Sequence, residues 1–235
     1  PVVAGSDTEG LTMRLSPDLH AHLRMTPIDN SALAAQLETI DLLIPDIQPL
    51  ASRFPIVITD ESGYRLKALV TPSDTTNIFA EHTPTVWQHY PLILDSMLSE
   101  DNPLRASTPG VREVTPPVIV DPEASHFQLD MGFKLFENGE PTPFLQARID
   151  RMQVDAEHEQ RTLALIDLLH RAGALEPANV RHQGKEIACY LVNDKALSTN
   201  LDKAATDSDS VGQAISLALA IADSQKGLTV ERSTQ

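Results

Sequence analysis

The sequence predicts an α+β fold in a single domain, and three observations carry that prediction. Short β-rich or alternating apolar runs lie at about residues 54–70, 117–136 and 186–192. A long helical repeat runs from Phe144 towards Gly173, and an alanine-rich apolar segment runs from Val211 to Ala222. Strands and helices do not alternate regularly, which points to a small mixed or antiparallel sheet rather than a parallel one. The long helix near 143–173 and the C-terminal Ala-rich helix near 211–223 would cover it. Residues 1–16 are polar and read as a loose N-terminal arm, and residues 17–235 as one domain.

Taken in order, Ser31 to Ile44 has helical spacing, with Asn30 or Ser31 as the cap and Leu33, Leu37, Ile40 and Ile44 as a stripe. Pro45 and Pro49 then cut the chain into short extended steps. Phe54-Pro-Ile-Val-Ile-Thr59 is β-rich, and Tyr64 to Val70 alternates well enough to be its hairpin partner across a turn at Asp60-Glu-Ser-Gly63. Thr83-Pro84 opens a second helical signal through Trp87, Tyr90 and Met97, and Pro91 inside it predicts a kink or two short helices. Pro117-Val-Ile-Val-Asp121 reads as a short buried strand after a polar loop over residues 99–115.

The clearest local signals follow. Asn138-Gly139 accepts positive φ at both central positions of a type I′ turn. Thr142-Pro143 caps and starts a helix: proline at the first position lacks an amide hydrogen that would have no partner there. Apolar residues then recur mostly at three and four through Leu145, Ile149, Met152, Ala156, Leu163, Ile166, Leu169 and Leu175, with a polar stretch from Asp155 to Thr162 near the middle. Gly173 suits the left-handed residue beyond a helix end, and Pro177 prevents resumption. A turn at residues 181–185, a strand over 186–192, a polar connection over 194–209 and the apolar helix complete the chain.

Composition limits the function classes. The chain has 235 residues, 41% of them apolar but only 4% aromatic, and a formal charge of −15. That charge opposes nucleic acid, whose phosphates need clustered Lys and Arg, and equally opposes anionic membrane surfaces. No apolar run approaches the ~20 residues that cross a bilayer, and no basic start with an apolar core marks a secretory signal, so a cytoplasmic location is expected. Cys189 is the single cysteine, in an apolar run where a small buried hydrophobe is the plainer reading.

Candidate chemistry is sparse. Asp18, His20 and His22 could supply metal ligands if the two imidazoles shared a strand edge, but spacing fixes no third ligand, and no metal or cofactor is expected. Asp155, Glu157, His158 and Glu159 on the long helix read as a solvated face. Trp87, His89 and Tyr90, next to His82, form the densest set of recognition-capable side chains, and aromatics with a polar edge suit both pockets and buried anchors. With Phe136 and Phe144 at the corner before the long helix, they are the candidate ligand or partner surface. No nucleophile elbow, phosphate loop or dinucleotide fingerprint is present.

In order and spacing the blocks resemble the SapC family of bacterial proteins. They are His22-Leu-Arg-Met25, Phe54-Pro-Ile-Val-Ile58 with its partner Tyr64 to Leu69, Asn77-Ile-Phe79, Tyr90-Pro-Leu-Ile-Leu94, Leu135-Phe-Glu-Asn-Gly-Glu-Pro141, Ala174-Leu-Glu-Pro177 and Tyr190-Leu-Val-Asn-Asp-Lys195 through the helix at Ala214–Ala222. Together they span about residues 20–225. The resemblance implies an association with surface-layer and serum-resistance loci and accessory roles in outer-membrane uptake or modification; it assigns no catalytic residue. A peptide-permease label attached to such proteins conflicts with the absence of any spanning run. The expected function is therefore non-enzymatic binding of a small molecule or protein partner. The alternative is a metal-dependent enzyme, or an accessory subunit of a flavoprotein (halogenase-like) system. Oligomeric state stays open.

Overall fold

The computed structural model describes residues 13–26, 37–60, 63–71, 81–97, 110–121, 124–197, 199 and 208–231. In chain order the elements begin β1 (Met13–Arg14), α1 (Pro17–His20), β2 (Arg24–Met25), β3 (Thr39–Leu42), α2 (Ile44–Ala51), β4 (Ile56–Thr59) and β5 (Arg65–Leu69). A 3₁₀ turn at Thr85–Trp87 precedes β6 (Leu92–Leu94), β7 (Val118–Val120), β8 (Phe127–Gln128), β9 (Phe133–Lys134), β10 (Phe136–Glu137) and β11 (Glu140–Pro141). Then come α3 (Pro143–Arg171), β12 (Leu175–His182), β13 (Lys185–Val192), α4 (Ser208–Ser224) and β14 (Val230–Glu231). Among the described residues every strand pair is antiparallel, and the fold is α+β.

Within the span read as one domain, the chain forms two compact units, Pro1–Asp29 with Trp87–Glu157, and Asn30–Val86 with His158–Gln235. The division falls inside α3. In the first unit, β1-β7-β6 and β8-β2-β9 form two three-stranded sheets, and β10-β11 a hairpin. Asn138 and Gly139 turn that hairpin at φ of 52° and 79°, as a type I′ turn requires. Leu145, Ile149 and Met152, on one face of α3, pack with Leu15, Met25, Val118, Val120 and Leu135. Each such aliphatic side chain removed from water contributes roughly 1.5–3 kcal/mol.

The second unit holds a six-stranded sheet in the order β14-β12-β13-β4-β5-β3. A two-residue turn at Gln183 and Gly184, both at positive φ, sets the β12–β13 register from His182↔Lys185 to Leu175↔Val192. Buried Gln225 ties two strands together: its amide donates to Ile56 O at 2.7 Å and accepts Val192 N–H at 2.9 Å. The end of α3 is a complete Schellman motif. Gly173 N–H reaches His170 O and Ala174 N–H reaches Leu169 O, both at 2.9 Å, with Gly173 at φ 62°.

Several elements differ from the sequence reading. Thr39–Leu42 is a strand, not the end of a helix, because it pairs residue for residue with Leu66–Leu69 and tertiary pairing overrides a helical spacing. The first part of that expected helix, residues 31–36, lies outside the described residues, as do Asn77–Phe79, most of the 99–115 loop and residues 200–207. Pro45 and Pro49 sit inside α2 rather than in extended chain. Pro45 occupies the first turn, where no amide hydrogen is needed, and Pro49 lies near the end of an eight-residue helix. Two short 3₁₀ helices, Thr85–Trp87 and Asp95–Met97, do flank Pro91, but β6 comes between them. Residues 118–120 belong to a sheet separate from 56–69 and 185–192, and residues 175–182 form a strand that Pro177 had masked. Met13–Arg14 pairs with β7 and Leu15 is fully buried, so the last positions of the expected arm belong to the fold.

Candidate functional site

The expected recognition patch is brought together only in part. Trp87, His89 and Tyr90 cluster in the first unit, where Trp87 and His89 are buried and Tyr90 half-buried, and their polar edges meet the buried Asp155 and the half-buried Asp121. His89 Nε2 lies 2.7 Å from Asp155 Oδ2, and both residues are buried. Neither His89 Nδ1 nor Asp155 Oδ1 has a hydrogen-bond partner among the described residues; Arg151 Nε stands 3.8 Å from the latter. Tyr90 donates its hydroxyl to Asp121 at 3.0 Å and sets its ring edge-on to His126 at 5.2 Å, with Trp87 5.6 Å away. Burial, reinforced by the Asp121 carboxylate, pushes the Tyr90 phenol well above its ordinary value and keeps it a donor.

Asp155 corrects the solvated-face reading of that helix. It follows Met152 by three positions and precedes Thr162 by seven, so it falls on the packed stripe, and the spacing alone could have identified it. Glu159 is also partly enclosed: it pairs with Arg65 at 3.3 Å, and burial raises its carboxyl although Arg65 opposes the shift.

His82 belongs to a different cluster, in the second unit. Fully buried Asp46 accepts Leu43 N–H at 3.0 Å, Thr85 N–H at 3.1 Å and the Thr85 hydroxyl at 2.9 Å, while His82 Nε2 lies 2.9 Å away. A buried carboxylate is tolerable when its lone pairs are satisfied in this way. The arrangement anchors the segment at His82–Thr85 to the start of α2. Sequence reading missed Asp46 because it took the prolines on either side for extended chain.

The metal candidates do not converge. His20 ends α1, a helix and not a strand edge, and its Nδ1 accepts Ser16 N–H at 3.0 Å. Its burial lowers the imidazole pKa and favours the neutral ring. His22 is exposed, and Asp18 accepts Arg112 N–H at 3.0 Å. Among the described residues no group of three or more His, Cys, Asp or Glu is placed to hold a metal ion.

Phe136 is a core residue and lines no surface. Phe144 does reach one: its ring stacks on Phe133 at 4.5 Å and 14°, with the Arg148 guanidinium 5.1 Å over its face. Phe133 opens an apolar tip with Leu129 and Met131, each more than half exposed. The tip is braced. Gly132 adopts φ 98°, and a Cβ there would meet Met25 O at 2.6 Å, while Arg24 donates to Gly132 O at 3.3 Å. Alternation at 129, 131 and 133 was visible in the sequence, inside a run taken for a core strand.

A profile of the SapC family matches residues 15–229, nearly the whole chain. The chain belongs to the SapC family. No curated protein and no solved structure matches it. The SapC match takes in both the Asp155–His89 pair and the apolar tip. Among the described residues of this SapC chain no helix is long and apolar enough to cross a membrane.

Proposed function

We propose that this SapC-family chain is a non-enzymatic accessory protein that binds a protein partner through the tip formed by Leu129, Met131 and Phe133. The observation that carries the reading is the exposure of these apolar side chains on a braced turn. Clustered apolar exposure is costly on a soluble surface and marks interaction sites. Exposed apolar side chains suit an apolar recess on a protein, whereas small molecules need concave sites. The net charge of −15 disfavours an anionic lipid surface as the alternative. The accessory role in surface-layer, outer-membrane uptake or modification systems comes from the family alone. The lone cysteine, a buried free thiol, is compatible with the reducing cytoplasm.

One observation favours an enzymatic reading instead. A carboxylate orienting an imidazole, as Asp155 does His89, is the arrangement of a general base. Here the second imidazole nitrogen is enclosed, so a substrate would have to displace protein to reach it. The two readings are separated by co-purification from the native host with wild type and with a Leu129→Ser/Met131→Ser/Phe133→Ser variant. The binding reading predicts a stoichiometric partner retained by wild type and lost from the variant. Identical partners for both, or none for either, contradicts it.

A further inference from the structure

At the tip formed by Leu129, Met131 and Phe133, one side chain can be changed by a mild oxidant, and the described fold shields its counterparts. Met131 is 64% exposed, whereas Met25 and Met152 are each 1% exposed and Met97 packs against the core of the first unit. Cys189, the single cysteine, is buried in the core of the second unit. Burial pushes its thiol up to about 11, so it stays protonated and poorly nucleophilic. Among the described side chains Met131 is the one exposed sulfur. Leu129 and Phe133 on either side are hydrocarbon and inert to peroxides. The backbone is held independently of the sulfur: the Thr26 hydroxyl donates to Met131 O at 3.5 Å, and Arg24 donates to Gly132 O at 3.3 Å.

We propose that Met131 is a redox-modification site: a peroxide converts its thioether to the sulfoxide, and the sulfoxide releases the partner protein from the tip. The inference rests on the tip being the protein-binding surface. In the step, a sulfur lone pair attacks one oxygen of the peroxide, and the S–O bond forms as the O–O bond breaks. The departing oxygen takes up the proton of the attacked one and, with hydrogen peroxide, leaves as water. Sulfur gives up two electrons and the peroxide accepts them. A flexible apolar side chain thereby becomes a polar one. An apolar recess offers the sulfoxide oxygen no donor, and burying an unpaired polar group weakens binding by about 10- to 100-fold. The change is confined to the surface, because an exposed side chain on a pinned backbone has no core to disrupt. It is also reversible. Methionine sulfoxide reductases restore the thioether, the oxygen leaving as water while a dithiol is oxidised to a disulfide.

The purified full chain, carrying a photo-reactive amino acid at the exposed position 130, tests the proposal. It is treated with hydrogen peroxide until it gains an oxygen atom, cleared of peroxide with catalase, and irradiated below saturation in a lysate of the native host. Peptide mapping is expected to find the oxygen on Met131, with the circular dichroism unchanged. The crosslinked product of the untreated chain is expected to fall at least about tenfold after peroxide. It should return after treatment with methionine sulfoxide reductases of both stereospecificities and dithiothreitol. Met131→Leu, compared only with its own untreated form, is expected to give the same yield before and after peroxide. An oxygen found first on another methionine or on Cys189 overturns the proposal. So does a product that survives oxidation of Met131, or a Met131→Leu chain that loses its product on peroxide; in these cases the binding reading stands. No product from the untreated chain overturns the binding reading, and this proposal with it.

Discussion

His89 on the segment after the 3₁₀ turn and Asp155 on α3 meet at 2.7 Å with both side chains buried, fixing that segment to the helix in the first unit. Removing His89 leaves the buried Asp155 carboxylate with only Arg151, 3.8 Å from its other oxygen. His89→Ala is expected to lower stability by about 1–3 kcal/mol, the cost of a buried acceptor that loses its hydrogen bond. A His89→Leu/Asp155→Leu pair should recover much of that. Urea midpoints for the single and double variants check both statements, and a His89→Ala variant with the wild-type midpoint would refute the first.

Asp46 makes the corresponding prediction for the second unit. Thr85→Val keeps the volume near constant while removing a hydroxyl that donates to a buried carboxylate at 2.9 Å. A hydrogen bond to a charged group contributes about 1.5–3 kcal/mol, and the variant is expected to lose that amount in denaturant titration. A change within about 0.5 kcal/mol, ordinary for an unremarkable surface site, would show that Asp46 is satisfied without Thr85.

Gly132→Ala is expected to disturb the apolar tip. The backbone there has φ 98° and the new Cβ would lie 2.6 Å from the Met25 carbonyl oxygen. Strain of this kind costs about 1–3 kcal/mol, so the turn should shift and weaken binding at Leu129 and Met131 even though no apolar side chain has been removed. Gly110→Ala, also at positive φ but with open space around it, is the control that shares the strain and lacks the collision.

His20 contributes a pH dependence with a definite sign. Burial holds its folded-state pKa below the ordinary value of about 6.5. The unfolded chain therefore binds the proton more readily, and stability falls as pH drops below about 6.5 towards the lower folded value. Thermal midpoints taken on either side of that pH should separate more for wild type than for His20→Gln. Equal separation would mean that the ring titrates alike in both states.

How much of this could be read from the chain depended on the range of the interactions involved. The helix from Pro143 to the Schellman end at Gly173 and the Asn138-Gly139 turn obey local rules, and both fall where those rules put them. The strand at Thr39–Leu42 does not, because its state is set by pairing with residues more than twenty positions away. Partner choice among strands is also non-local: the buried run Val118–Val120 looks the same whichever sheet it joins. At the candidate site, Trp87, His89 and Tyr90 were found as neighbours, but composition could not say whether their polar edges faced water or a carboxylate. Leu129, Met131 and Phe133 fell inside a run expected as strand, and the bend at residues 129–132 that replaces it leaves them exposed.

The central claim is that the tip around Met131 is a protein-binding surface. A photo-reactive amino acid at position 131, activated in the native host, tests it most directly, with the exposed Gln153 position on α3 as control. The account predicts a discrete crosslinked protein from position 131 and none from position 153. No product from position 131, or the same products from both positions, would contradict it.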